Sequence, residues 1–187
     1  MNEVKKAEID NTSRLLNILS LVNDWLKFAE TKHAMLIAFN GASIYGLMNL
    51  SEMKWVENNP FLGHYILFVI IFCVVSVVVG ILSFIPQLMF LHINDSNPEN
   101  AKSSIYFGHL KNKSEKKIFQ GICETNQDTF SSFEMDIAHQ IQQNSNIAAN
   151  KFDLFTISAW LTIIAYVNVL AFILGIILWA NRNNKVK

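Results

Sequence analysis

The sequence predicts an all-α membrane protein with three transmembrane helices, two of which continue as long cytoplasmic helices forming a small helical bundle. Three observations predict it. Stretches 33–51, 58–94 and 154–181 contain no Asp, Glu, Lys or Arg. Narrow apolar seams lead into the first and third of these stretches with no intervening Pro. The basic residues fall unevenly on the two sides that three spans create, eleven against four.

Composition agrees. The chain has 187 residues, 51% hydrophobic and 16% charged, with fifteen basic residues matching fifteen acidic ones. Mean hydropathy is +0.27, high for a soluble domain. A disordered chain would carry fewer apolar groups and more net charge. A nucleic-acid binder would carry a basic surplus, so no nucleic-acid partner is expected. Two cysteines, Cys73 in an apolar run and Cys123 in a polar one, do not make a disulfide scaffold. The first 32 residues are charged and amphipathic, unlike a signal peptide.

The expected organisation is a cytoplasmic amphipathic helix over 1–32, then a transmembrane helix over 33–50. A second span covers 61–86, a cytoplasmic helical region 92–153, a third span 154–180, and a short basic tail 181–187.

The first helix follows from Leu15, Leu19, Val22, Leu26 and Ala29, spaced four and three apart. It continues into the weakest of the three spans, which contains Asn40, Gly41, Ser43, Gly46 and Asn49. Ala34, Ala38, Ala42 and Gly46 recur every fourth residue, a small-residue stripe that admits a close helix neighbour in lipid. Ser76 with Gly80, and Ala171 with Gly175, repeat that spacing in the other spans. The second and third spans exceed the about 20 apolar residues that a bilayer core requires.

The middle segment opens with a break at 94–98, after Pro86 has disturbed the second span. Tyr106-Phe107-Gly108-His109-Leu110 is an aromatic patch around a turn residue. Ser114 is the expected N-cap of a short helix, with Glu115 in its first turn. The last helix is expected to start near Thr125. Its seam is Phe130, Phe133, Ile137, Ile141, Asn144, Ala148, Lys151 or Phe152, and Phe155. Asn144 either sets register, as a polar seam residue does in coiled coils, or faces solvent.

Catalytic patterns are missing: no P-loop, G-x-S-x-G, H-E-x-x-H or C-x-x-C occurs. Asp136 and His139 are three apart, more suited to a surface hydrogen bond than to a metal half-site. Glu124, Glu134 and Asp136 do not form an acid–base pair, so the protein is not expected to be an enzyme and no metal is expected. Asn40 and Asn168 are polar groups within spans, where they are costly and turn toward other helices or a cavity. Their depths, ~10 and ~21 Å from the same end, do not favour a mutual bond. Each is left to meet its own copy in an oligomer, to line a polar path, or to bond a Ser or Thr on another helix. Lys111, Lys113, Lys116 and Lys117 follow Phe107 and His109. Cations beside rings suit a phosphate-bearing ligand whose base stacks, and equally suit anionic lipid headgroups.

Phe28-Ala29-Glu30-Thr31-Lys32, then Ala34-Met35-Leu36-Ile37-Ala38-Phe39-Asn40-Gly41, resembles the A-D-T-K-A-like motif that enters the first span of the transmembrane effector family of Pycsar anti-phage systems. Tyr106-Phe107-Gly108-His109-Leu110 resembles that family's F-G-H-I-like element. Ile147-Ala148-Ala149-Asn150-Lys151-Phe152 is similar to its I-A-x-x-K-Y segment before the last span. The departures are Glu30 for Asp, His33 for a small residue and Phe152 for Tyr. The resemblance covers roughly residues 12–180.

The resemblance implies a cyclic-nucleotide-responsive effector in the bacterial inner membrane that causes abortive infection by impairing that membrane. A partner cyclase would make the ligand, cyclic CMP or cyclic UMP. The nucleotide-binding candidates are Lys32, Phe107, His109, Lys111, Lys116 and Lys117, with no other cofactor. Glu30, Thr31, Lys32 and Lys151 are the candidates for coupling at the membrane boundary. A homo-oligomer contacting lipid is expected. The competing expectations are a constitutive channel or small transporter, and a membrane scaffold holding a soluble partner.

Overall fold

The computed structural model describes residues 2–85, 105–124 and 131–184. It contains α1 (Asn2–Ser51), α2 (Lys54–Glu57), α3 (Pro60–Leu82), α4 (Phe107–Leu110), α5 (Glu115–Cys123) and α6 (Ser132–Asn184). No strand occurs among the described residues. Helices α1, α3 and α6 each contain a segment long and apolar enough to cross a membrane: Asp10–Ser51, Pro60–Leu82 and Ser132–Gly175. The chain divides into two compact units, one of Met1–Thr31 with Gln87–Asp153, the other of Lys32–Pro86 with Leu154–Lys187. Helices α1 and α6 each run unbroken from residues of one unit into residues of the other.

The first unit is built on the predicted seam of α1. Leu15, Val22 and Ala29 are buried, with Leu19 and Leu26 half-buried between them. Leu15 and Val22 share a core with Leu110, Ile118, Phe119, Cys123, Ile137, Ala138 and Ile141. Helix α5 enters this core because Ile118, Phe119 and Ile122 lie on one face. Its backbone starts from an extended Ser114, as expected, and ends on Glu124, which takes a left-handed conformation at φ 51°. Burial, reinforced by the Glu134 carboxylate, pushes the Cys123 thiol pKa up to about 11.

Helix α6 begins at Ser132, after the non-helical Ser131; the expected start near Thr125 lies outside the described residues, together with Phe130 and the break at 94–98. A capping box sets the start at Ser132. Ser131 donates through its backbone N (2.9 Å) and Oγ (3.0 Å) to Glu134 Oε2, and Glu134 N donates to Ser131 Oγ at 3.2 Å. That arrangement buries Glu134 and turns the expected seam residue Phe133 outward. Ile137, Ile141 and Ala148 keep their predicted inward places. Asn144 makes a polar contact across the seam: its Nδ2 donates to Asn23 Oδ1 of α1 at 2.8 Å. Gln142 Nε2 donates to Lys113 O at 2.9 Å, fixing the turn between α4 and α5.

The second unit holds the apolar spans. Val69, Cys73 and Ala165 form a core with Ile44, Leu47, Tyr65, Phe72 and Val169 around them. Ala34, Ala38, Ala42 and Gly46 face outward, whereas His33 and Asn40 are fully buried. Between helices in lipid there is little hydrophobic drive, so polar groups that need partners select the inner face. His33 sits edge-on to the Phe155 ring, with centroids 5.6 Å apart. Asn40 Nδ2 donates to Thr162 Oγ1 at 2.9 Å and to Ser76 Oγ at 3.2 Å, joining all three spans. Ser76 Oγ donates to Ser158 O at 2.8 Å, and Ser158 Oγ donates to Ser76 O at 2.8 Å. Ser43 and Tyr166 join their hydroxyls. Asn168 instead bonds its own helix, Nδ2 to Ile164 O at 2.7 Å. Close approach at the Ser76–Gly80 face is real: a Cβ on Gly80 would meet Ile37 Cγ1 at 3.1 Å.

Candidate functional site

The first unit carries a cleft of about 510 Å³ lined by Trp25, Tyr106, Phe107, Gly108, His109, Lys111, Ala149, Phe152 and Asp153. That volume lies in the ~300–1,000 Å³ range of small-molecule sites. Helix α1 supplies Trp25, one position before the seam residue Leu26. Helix α6 supplies Ala149, Phe152 and Asp153, whose i, i+3, i+4 spacing sets them on one face. The short helix α4 and its flanks supply the rest.

The rings support one another. Phe107 stacks on Phe152 with centroids 5.2 Å apart and planes at 20°. Trp25 leans on Phe107 at 5.7 Å and on Phe152 at 6.2 Å. Phe107 is buried and its face is taken, whereas Trp25 and Tyr106 stay 37% and 47% exposed. The exposed rings are therefore those with surface to offer a ligand. Gly108 lets Tyr106 fold over the backbone, since a Cβ there would lie 2.5 Å from the Tyr106 ring.

His109 meets the Tyr106 ring edge-on at 5.2 Å. Its Nδ1 is buried with no hydrogen-bond partner among the described residues. A buried polar atom without a partner costs about 1–3 kcal/mol, and this one belongs to a residue that lines the cleft. Lys111 brings a cation and Asp153 an acceptor for N–H groups. The cleft thus offers stacking surfaces, a positive charge and hydrogen-bonding groups of both senses.

Of the residues nominated from sequence, Phe107, His109 and Lys111 line this cleft. Lys116 and Lys117 lie exposed on α5 and do not line it. Lys32 belongs to the other unit, its Nζ 5.4 Å from the Phe155 ring centroid. Glu30 and Lys151 are brought together, Nζ to Oε1 at 2.7 Å. Thr31 Oγ1 donates to Lys27 O of its own helix at 2.9 Å. His139 bonds Glu115 Oε1 through Nδ1 at 2.6 Å, the surface hydrogen bond expected of it, though with a partner other than Asp136. Sequence reasoning missed Trp25 and Asp153. The available signal was their position beside seam residues on helices already recognised.

The Pycsar effector protein domain family matches residues 14–179. The chain belongs to the Pycsar effector family. Neither the curated proteins nor the solved structures contain a match to it. Membership gives this Pycsar effector the role of an anti-phage defence effector, and its three apolar helices make it a membrane protein. The matched range takes in most of both units, the whole cleft, and the candidate spans but for the first residues of Asp10–Ser51.

Proposed function

We propose that this Pycsar effector binds a cyclic mononucleotide, cyclic CMP or cyclic UMP, in the cleft of its first unit and then impairs the bacterial inner membrane, ending the infection abortively. A partner cyclase supplies the ligand. The observation that carries this reading is the cleft itself, which is lined by two exposed rings, Lys111 and His109. A base stacks on Trp25 or Tyr106, Lys111 holds the cyclic phosphate, and His109 and Asp153 meet polar edges. The first unit faces the cytoplasm in this reading, consistent with the excess of Lys and Arg on that side.

Binding moves the membrane only if the ligand prefers the active arrangement over the resting one. Helices α1 and α6 provide the connection, because each continues unbroken into its span. The outward stripe of Ala34, Ala38, Ala42 and Gly46 supports self-association of the spans.

The test is membrane potential in bacteria expressing the protein with a cyclase for each nucleotide, paired with equilibrium binding of labelled cyclic CMP and cyclic UMP to isolated membranes. The reading expects depolarisation and saturable binding with one nucleotide. Both must weaken at least tenfold in Tyr106→Ala. Depolarisation without any nucleotide favours a constitutive channel, and binding without depolarisation favours a scaffold.

A further inference from the structure

Asn40, Ser76, Ser158 and Thr162 come from three different spans and are 0, 0, 1 and 6% exposed. Their donors and hydroxyls are satisfied by one another and by the carbonyls of Ser76 and Ser158. One atom is not: Asn40 Oδ1 is buried with no hydrogen-bond partner among the described residues. The cluster is also part of a column. On α1 the buried His33 lies seven residues before Asn40, and Ser43, bonded to Tyr166, lies three after it. At 1.5 Å per residue these groups span ~15 Å along the inner face of the second unit.

An interface of Val and Leu can separate into lipid at little cost. This one cannot, because the Asn40 amide and the Ser76 and Ser158 hydroxyls bond only across helices and lose those partners in hydrocarbon unless water follows, whereas Thr162 Oγ1 keeps Ser158 O and Ser43 Oγ keeps Phe39 O on their own helices. The column is therefore either shut, with its groups paired across helices, or wet. The unmet Oδ1 gives water a first acceptor. Oxygen ligands without fixed charge replace the hydration shell of small cations, and stretches 33–51, 58–94 and 154–181 hold no Asp, Glu, Lys or Arg.

We propose that this column is the closed form of an aqueous path through the second unit, gated at Asn40, Ser76, Ser158 and Thr162, which passes water and small monovalent cations when the helices part. The proposal rests on the reading that the protein impairs the membrane, and names the residues that do so.

The test places Ser76→Cys or Ser158→Cys in a chain carrying Cys73→Ala and Cys123→Ser, and measures labelling by a charged thiosulfonate in cells producing cyclic CMP or cyclic UMP. A thiol reacts as the hydrated thiolate, so labelling reports water at the gate. Both thiols are expected to label at least tenfold faster when the potential falls than at rest. Asn40→Leu and the gentler Thr162→Val are expected to abolish the fall while leaving protein level and nucleotide binding intact. Replacing external sodium by N-methylglucamine is expected to prevent depolarisation. The proposal fails if the potential collapses with both thiols unlabelled, if Asn40→Leu and Thr162→Val leak like the parent, or if depolarisation persists in N-methylglucamine. A nucleotide-free arm separates the two readings. Asn40→Asp puts a carboxylate in the gate and is expected to depolarise cells and expose Ser158→Cys without any cyclase. If neither nucleotide acts but Asn40→Asp leaks, the ligand reading falls and the path stands. A membrane-inserted Asn40→Asp that stays tight and unlabelled overturns the path.

Discussion

Lys151 Nζ lies 2.7 Å from Glu30 Oε1, and this pair joins α6 to α1 at the last turns of the first unit. The lysine side chain is 14% exposed and the glutamate 42%. Between the exposed and buried limits, such a pair contributes about 1–2 kcal/mol against removal of one partner. Glu30→Ala, which takes this carboxylate from the better buried Lys151, is expected to lower thermal stability in detergent more than Lys151→Met. The swap Glu30→Lys with Lys151→Glu should recover at least half the loss. Stability equal to the parent's in all three variants would show that the contact contributes nothing.

Cleft residues and bystander lysines separate by position. Gly108→Ala is expected to weaken nucleotide binding about tenfold, ~1.4 kcal/mol, because its methyl displaces the Tyr106 ring. Lys111→Met should weaken it comparably, and flatten its salt dependence. Lys116→Ala and Lys117→Ala, exposed on α5 outside the cleft, should change it less than twofold. Titration of labelled nucleotide into membranes of each variant decides this, and a larger loss at Lys116 or Lys117 than at Lys111 would relocate the site.

Cys123 makes stability sensitive to alkali. Burial first, then Glu134, raises its thiol from 9.0 to about 11, so the folded state holds the proton more tightly than the unfolded one. Its contribution is fully present below pH 9 and is lost as pH rises from about 9 toward 11. Unfolding of the purified protein at pH 8 and pH 10.5 should therefore show a smaller alkaline loss for Cys123→Ala than for the parent. Identical pH profiles would remove Cys123 from the account.

Glu124 ends α5 in the left-handed region at φ 51°, where a side chain costs energy and glycine does not. Glu124→Gly is expected to raise stability by about 0.5–1 kcal/mol, read as a higher melting temperature in the same detergent. A lower melting temperature would mean that the carboxylate makes a contact worth more than the backbone strain.

How much was legible depended on which force placed each residue. The seam of Leu15, Val22 and Ala29 and the three uncharged stretches follow from apolar periodicity, so they could be read directly. The start of α6 at Ser132 is set by Ser131 and Glu134, a local capping pair that apolar spacing does not register. Asn40 offered three possible roles in sequence, and the structure gives it bonds to Ser76 and Thr162, partners that no spacing within its own helix names.

The cleft shows the same division. The aromatic patch and Lys111 stand together in the sequence, but Trp25 and Asp153 are far away in it and meet the patch only through packing. By itself the sequence determined the all-helical class, the apolar spans and the family, because these depend on composition, period and short motifs along one chain. Only the tertiary structure decided which polar groups turn inward, which rings keep an open face and which lysine enters the cleft. Those outcomes depend on pairing between distant helices, where a donor must find an acceptor and a ring must find a neighbour, and no spacing within one helix encodes the partner.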